Sequence, residues 1–185
     1  NTLLRAKDYQ FMIEDSGCAI LVYSPEFAGE VEPAIEATAR KPQHCLPTEG
    51  GDGSLAMRLP NASADLTPAS AAPTDDCFWL YSSGTTGNPK GTVHRHQDIP
   101  LTCQHYAVAI LGMTEDDVCF SAAKLFFAYG LGNAMTFPLW VGATAILFAG
   151  RPTPDTTFET IETFRPSLYF GVPTLYAAQL QAIDS

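Results

Sequence analysis

Between residues 81 and 91 the chain reads Tyr-Ser-Ser-Gly-Thr-Thr-Gly-Asn-Pro-Lys-Gly, and no other stretch gathers so many groups suited to one kind of ligand. Gly84, Gly87 and Gly91 let a backbone turn sharply and come close to a bound molecule. Ser82, Ser83, Thr85 and Thr86 add hydroxyl donors, and Lys90 adds a cation whose direction is constrained by Pro89 before it and Gly91 after it. Backbone N–H groups, hydroxyls and one ammonium are what a polyphosphate requires, since its oxygens are acceptors carrying several negative charges. The residues alone also allow a Ser/Gly/Thr turn that binds nothing. They do not meet the Walker A pattern, because no Gly-Lys-Ser/Thr closes the run, and this disfavours a P-loop NTPase.

A second candidate is Lys124-Leu125-Phe126-Phe127-Ala128-Tyr129-Gly130-Leu131-Gly132-Asn133. Aromatic faces beside Ala and Gly can hold a flat apolar ring, although the same residues also suit ordinary core at a strand-to-helix turn. Lys124 is open to two readings, a cation facing a carboxylate or one reaching solvent. His94 and His96 would share one face of a strand, but no acidic or cysteine partner lies near them in sequence, so no metal site is assigned. The run Glu115-Asp116-Asp117 is expected to cap or solvate a turn.

Taken as a whole, Leu80 to Gly91 resembles the AMP-binding signature of the adenylate-forming superfamily, which comprises acyl-CoA synthetases, peptide-synthetase adenylation domains and luciferases. The resemblance implies an ATP loop made of Ser82, Ser83, Gly84, Thr85, Thr86, Gly87 and Lys90. Thr85, Thr86 and Lys90 would meet the β- and γ-phosphates, and Lys90 would take part in catalysis. The segment from Lys124 to Asn133 is similar to the acyl-pocket segment of benzoate:CoA ligases, which places Phe126, Ala128, Tyr129 and Gly130 around an aryl ring. Gly171-Val172-Pro173-Thr174-Leu175-Tyr176 resembles a segment that is largely structural in that family.

The activity so implied is acid–thiol ligation in aromatic degradation. Benzoate, ATP and coenzyme A would give benzoyl-CoA, AMP and pyrophosphate through a benzoyl-adenylate, with Mg2+ accompanying ATP. A substituted benzoate is the alternative acid, and a non-catalytic binding module is the alternative class. The family places further nucleotide-binding elements, a hinge and a small C-terminal domain with a catalytic Lys beyond such a region. Residues 1–185 are therefore expected to be a fragment of the large N-terminal domain that completes neither half-reaction alone. The resemblance leaves room for a homodimer.

These side chains need a scaffold, and the hydrophobic pattern supplies one. Helical spacing over Leu3–Asp15 ends at Ser16-Gly17, and the apolar run Cys18–Tyr23 predicts a strand buried on both faces. A helix from Pro25 to about Arg40 and a short strand at His44–Leu46 follow. Residues 46–75 read as a long irregular connection, with an edge strand at Leu55–Leu59 as one option. A buried strand at Asp76–Tyr81 feeds the Gly-rich run, and Thr92–His96 reads as the strand after it. Further on, helices are expected at Gln97–Gly112 (Leu101, His105, Val108, Ala109 and Leu111 inward), Gly130–Val141, Asp155–Arg165 (Phe158, Ile161 and Phe164 spaced by three) and from Pro173. Strands are expected at Val118–Ala122, Thr144–Phe148 and Ser167–Phe170. Such alternation defines an α/β fold with parallel-rich sheets and crossover helices, as in the N-terminal domain of an acyl-CoA synthetase-type ligase.

Composition sets outer limits. With 10 Lys+Arg against 20 Asp+Glu, the net charge of −10 argues against a non-specific nucleic-acid surface while leaving a local phosphate cradle open. Only 16% of residues are charged and 46% are hydrophobic, which suits a folded segment rather than a coiled coil or an acidic tail. No apolar run reaches the roughly 20 residues of a membrane helix. The five separated cysteines are read as reduced thiols, so a soluble, cytoplasmic protein is expected.

Overall fold

In the structure, a computed structural model that describes residues 4–82 and 88–183, the chain divides into two compact units. The first comprises residues 1–71 and 79–93, the second 72–78 and 94–185.

The first unit opens with helix α1 (Ala6–Ser16), whose N-terminus is closed by the Arg5 backbone N–H donating to Asp8 Oδ2 at 3.0 Å. Gly17 ends it with φ at 57°, a left-handed conformation that costs glycine nothing, and its N–H returns to the Ile13 carbonyl. Strand β1 (Ile20–Tyr23) and strand β2 (His44–Pro47) pair in parallel, from Ile20 opposite His44 to Tyr23 opposite Pro47. Their crossover is a 3-10 turn at Pro25–Phe27 running into helix α2 (Ala28–Ala37), and Ile13, Val31 and Ala34 form the buried centre where α2 packs on α1. Full burial of β1 is not observed: Ile20 and Val22, which share one face, are 56% and 45% exposed, whereas Leu21 and Tyr23 on the other face are half-buried.

The connection over 46–75 contains a short helix, α3 (Leu55–Arg58), and a 3-10 turn at Leu59–Asn61, where an edge strand was one expectation. Two local features decide for the helix. Ser54 Oγ accepts from the Met57 N–H at its start, and Gly50, Gly51 and Gly53 all take positive φ, breaking any extended run that would lead into a strand.

Strand β3 (Asp76–Ser82) and strand β4 (Lys90–Arg95) form a two-stranded sheet whose residues lie in both units. Asp75 meets His96, Phe78 stacks on His94 at 4.8 Å and Tyr81 lies beside Gly91, so the strands run antiparallel. β3 is half-exposed rather than buried, with Trp79 41% exposed.

The second unit is built on a three-stranded parallel sheet in the order β6-β5-β7, with β5 (Val118–Ser121) between β6 (Thr144–Ile146) and β7 (Leu168–Phe170). Cys119, Phe120 and Ser121 are buried, as a central parallel strand demands. Helix α4 (Asp98–Thr102) continues as a π-helical segment at Cys103–Val108. That wider turn shifts the inward stripe from the expected Leu101, His105 and Ala109 to Cys103 and Ala107, which join Met113, Cys119, Phe137 and Phe170 in the core.

From Ala128 to Val141 the chain is helical throughout, as α5 (Ala128–Leu131), a π segment at Gly132–Thr136 and α6 (Phe137–Val141). Helix α7 (Pro154–Phe164) starts at Thr153, whose Oγ1 accepts from the Thr156 N–H. It buries Thr157 and Thr160 rather than the expected Phe158, Ile161 and Phe164, and Phe164 is 58% exposed. Helix α8 (Pro173–Ile183) follows β7. No described helix is long and apolar enough to cross a membrane. All five cysteines are free thiols, and burial pushes Cys119 up to about 11.

Candidate active site

Of the residues assigned to the ATP loop, Ser82 closes β3 and Lys90 opens β4, both exposed. Ser83, Gly84, Thr85, Thr86 and Gly87 lie outside the described residues. Lys90 lines an open depression of about 500 Å3 together with Phe11, Asp15, Asn88, Pro89 and Gly91. The rings behind it are fixed. A Cβ on Gly91 would sit 3.2 Å from both Trp79 Cε3 and Tyr81 Cζ, so glycine is what lets β4 lie flat on them. Burial, then the Asp15 carboxylate, raises the Tyr81 phenol well above its ordinary value, and it stays a donor across the physiological range.

The aryl-pocket candidates gather in the second unit, after the C-terminal end of β5. This is where open α/β sheets present ligands. Phe126 and Phe127 are 42% and 47% exposed with ring centroids 4.5 Å apart, and Ala128 is exposed beside them. Tyr129, 45% exposed, donates its hydroxyl to the Gly171 carbonyl at 3.1 Å. Burial first, then the phenols of Tyr176, Tyr106 and Tyr169, push that hydroxyl above its ordinary value.

Gly130 is buried, and a Cβ there would lie 2.1 Å from the Lys124 carbonyl oxygen. Its missing side chain lets α5 start directly on the Ala123–Lys124 backbone. Lys124 has a third arrangement beside the two roles weighed for it. Its Nζ donates to the carbonyls of Phe148 and Ala149 at 2.7 Å each and to that of Gly150, gathering the chain that leaves β6. Burial lowers its affinity for a proton, and the three carbonyls compensate the charge.

Sequence reasoning passed over two further features. Gly171 is held from both sides, its carbonyl by Tyr129 and its N–H by the Tyr176 hydroxyl at 2.9 Å, and a Cβ there would strike Tyr176 Cζ at 2.6 Å. Asn133, one turn beyond Tyr129, is 2% exposed; its side chain bears on the Tyr129 hydroxyl, but its Nδ2 makes no hydrogen bond of ordinary geometry among the described residues. Only the Gly-Val-Pro-Thr-Leu-Tyr segment hinted at the first, and nothing in the sequence marked the second.

An acidic partner does stand near these histidines, contrary to the expectation: Asp98 lies 3.4 Å from His94, which also stacks on Phe78, while no group of three or more His, Cys, Asp and Glu gathers among the described residues. Asp117 caps as expected: it accepts from the Thr114 N–H at 2.8 Å and the Ser167 hydroxyl at 2.7 Å, and these bonds hold its carboxyl below the usual range.

Comparison with known proteins places the chain in a family. The model of the AMP-binding enzyme family matches residues 1–184, and the chain belongs to that family. It is 49% identical over 184 residues to the benzoate–CoA ligase of Thauera aromatica, covering 100% of this chain and 35% of that protein. Among solved structures it is similar to a benzoate CoA ligase from Burkholderia xenovorans LB400, with a TM-score of 0.84 and 44% identity over 97% of this chain and 35% of the other. It is similar too to the anthranilate CoA ligase AuaEII in complex with anthranoyl-AMP, with a TM-score of 0.87 and 35% identity over 96% and 35% of the two chains. The chain thus spans about a third of the length of the curated relatives it matches.

Proposed function

We propose that this chain is part of the N-terminal adenylating domain of an ATP-dependent benzoate:CoA ligase. The observation that carries this reading is the 49% identity to a benzoate–CoA ligase along the whole chain, through both the Gly-rich run and the aromatic segment. In this reading the acid's carboxylate attacks the α-phosphate of ATP, giving the acyl-adenylate and pyrophosphate. Coenzyme A thiolate then displaces AMP to form the thioester. The loop from Ser82 to Lys90 binds and orients the departing phosphates, which lowers the barrier by positioning and charge stabilisation. Mg2+ would accompany the phosphates that Ser82 to Lys90 hold and would help neutralise their charge.

Phe126, Ala128, Tyr129 and Gly130 form the aryl end of the site in this reading. The pinned Tyr129 hydroxyl supports it, because a ring fixed by a hydrogen bond gives a flat substrate a wall of constant position. Free thiols and the absence of any membrane-spanning helix among the described residues support a cytoplasmic setting. Homodimerisation belongs to the same reading. A substituted benzoate is the second choice of acid, favoured by the structural likeness to the anthranilate CoA ligase.

Acid-dependent ATP–pyrophosphate exchange by the complete protein that carries this chain tests the proposal. Benzoate, 4-hydroxybenzoate, 2-aminobenzoate and a series of aliphatic acids would be compared. Highest exchange with benzoate is expected, and a preference for aliphatic acids would overturn the aryl assignment.

A further inference from the structure

Helix α1 carries no recognisable motif, yet its last turn touches the strand that delivers the Gly-rich run. Asp15 is the penultimate residue of α1, at the end where the helix dipole disfavours a carboxylate; Glu14 precedes it and no basic residue balances that turn. A residue that violates its local preference is expected to serve another need. Here the need is visible. The Tyr81 hydroxyl donates to Asp15 Oδ2 at 2.7 Å, across 66 positions of sequence. The same tyrosine ring lies flat enough on β4 that a Cβ at Gly91 would come 3.2 Å from its Cζ. One side chain thereby joins α1, β3 and β4. Tyr81 and Gly91 bracket the Gly-rich run in sequence, and Asp15 shares the open depression with Lys90.

We propose that Asp15 and Tyr81 are positioning residues for nucleotide binding, a latch from α1 that sets where the two strand ends flanking residues 83–87 stand and so tunes affinity for the triphosphate. The inference rests on the reading of that run as a phosphate loop. Tyr81→Phe keeps the ring packed on Gly91 and removes only the hydroxyl, so the loss of stability it brings is confined to one hydrogen bond. The latch acts on phosphates and not on the acid, which separates it from a merely structural contact.

The test uses the complete protein, with two readouts on each variant: Mg·ATP affinity by titration calorimetry without any acid, and KM for ATP and for benzoate in pyrophosphate exchange. Tyr81→Phe is expected to weaken ATP binding and raise KM for ATP roughly five- to tenfold, the range spanned by one hydrogen bond, while KM for benzoate stays within twofold. Asp15→Ala should do the same. Asp15→Asn, which retains an acceptor, should recover most of the loss, and the double variant should be no weaker than the weaker single one. Wild-type protein that binds Mg·ATP together with a Tyr81→Phe variant of equal affinity overturns the latch and leaves the phosphate-loop reading standing. Failure of the wild type to bind ATP overturns that reading, and the latch with it. Equal rises in both KM values would reduce Asp15–Tyr81 to a structural tie and also overturn the inference.

Discussion

The β3–β4 hairpin and the β6-β5-β7 sheet hold their chemistry in opposite ways. Along the hairpin, the groups that suit a phosphate lie within one unbroken run from Ser82 to Lys90, and the strands around it are half-exposed. In the parallel sheet, the aromatic segment is arranged by residues far away in sequence: Gly171 is 42 positions from Tyr129, and the carbonyls that receive Lys124 are 24 to 26 positions on. A site written in consecutive residues is sensitive to the identity of each; a site assembled by packing is sensitive to the backbone beneath it. Local damage to the first should remove activity with little change in stability, and damage to the second should remove both.

The sharpest separation is expected from Lys90→Ala. On the proposed phosphate role of Lys90, its removal should lower exchange about 100-fold or more while the unfolding midpoint stays nearly unchanged, because the side chain is exposed. A large loss of stability instead would break the contrast. Gly130→Ala is its mirror: a methyl 2.1 Å from a backbone oxygen forces α5 off the Ala123–Lys124 segment, and chemical denaturation should show a loss of about 3 kcal/mol. Lys124→Met keeps most of the aliphatic stem and leaves three carbonyls without their ammonium, for which about 2 kcal/mol is expected by the same measurement.

Asp117 sharpens the picture through pH. Its folded carboxyl is held below the ordinary aspartate range by the Thr114 N–H and the Ser167 hydroxyl, so the stability it confers is present above pH 4 and disappears as pH falls through the folded value. Denaturation of the wild type should lose more between pH 6 and pH 3 than that of Asp117→Asn. The smallest effect is expected from Asn133→Leu, which replaces a buried amide whose Nδ2 makes no hydrogen bond of ordinary geometry among the described residues by an apolar group of similar size and should stabilise by up to about 1 kcal/mol. A loss in that variant would show that Nδ2 finds an acceptor in the complete protein.

Legibility followed the same division. Strand and helix identities over the second unit follow from apolar runs and, for the last helix, from Pro173, and the elements stand within a few residues of the positions they predict. Facing directions were harder. The π segment at Cys103–Val108 rotates its helix in a way that no three- or four-residue spacing announces, and α7 packs through Thr157 and Thr160 because small side chains fit the space where phenyl rings do not. Burial of β1 and β3 was overestimated since an apolar run reports the need for neighbours, not their presence among the described residues. For the proposed site, the Gly-rich run stands out in the sequence as a phosphate candidate, whereas the Lys124 cage, the two-sided grip on Gly171 and the Asp15–Tyr81 bond each join residues whose sequence distance hides their meeting.

Parallel pairing also carries a cost in time. β5 is the central strand, yet Ser121 cannot meet Phe170 until 49 further residues have been made. At ribosomal rates of about 5–20 residues per second, that interval is roughly 2–10 s. Until β6 is made, Cys119 and Phe120, wholly enclosed in the finished fold, have no neighbour strand, and from then until β7 is made they have only the β6 side. The nascent chain is therefore most exposed to misassociation at the strand that later becomes its best-protected one, and slowing synthesis between residues 146 and 170 should lower the soluble yield more than slowing it elsewhere.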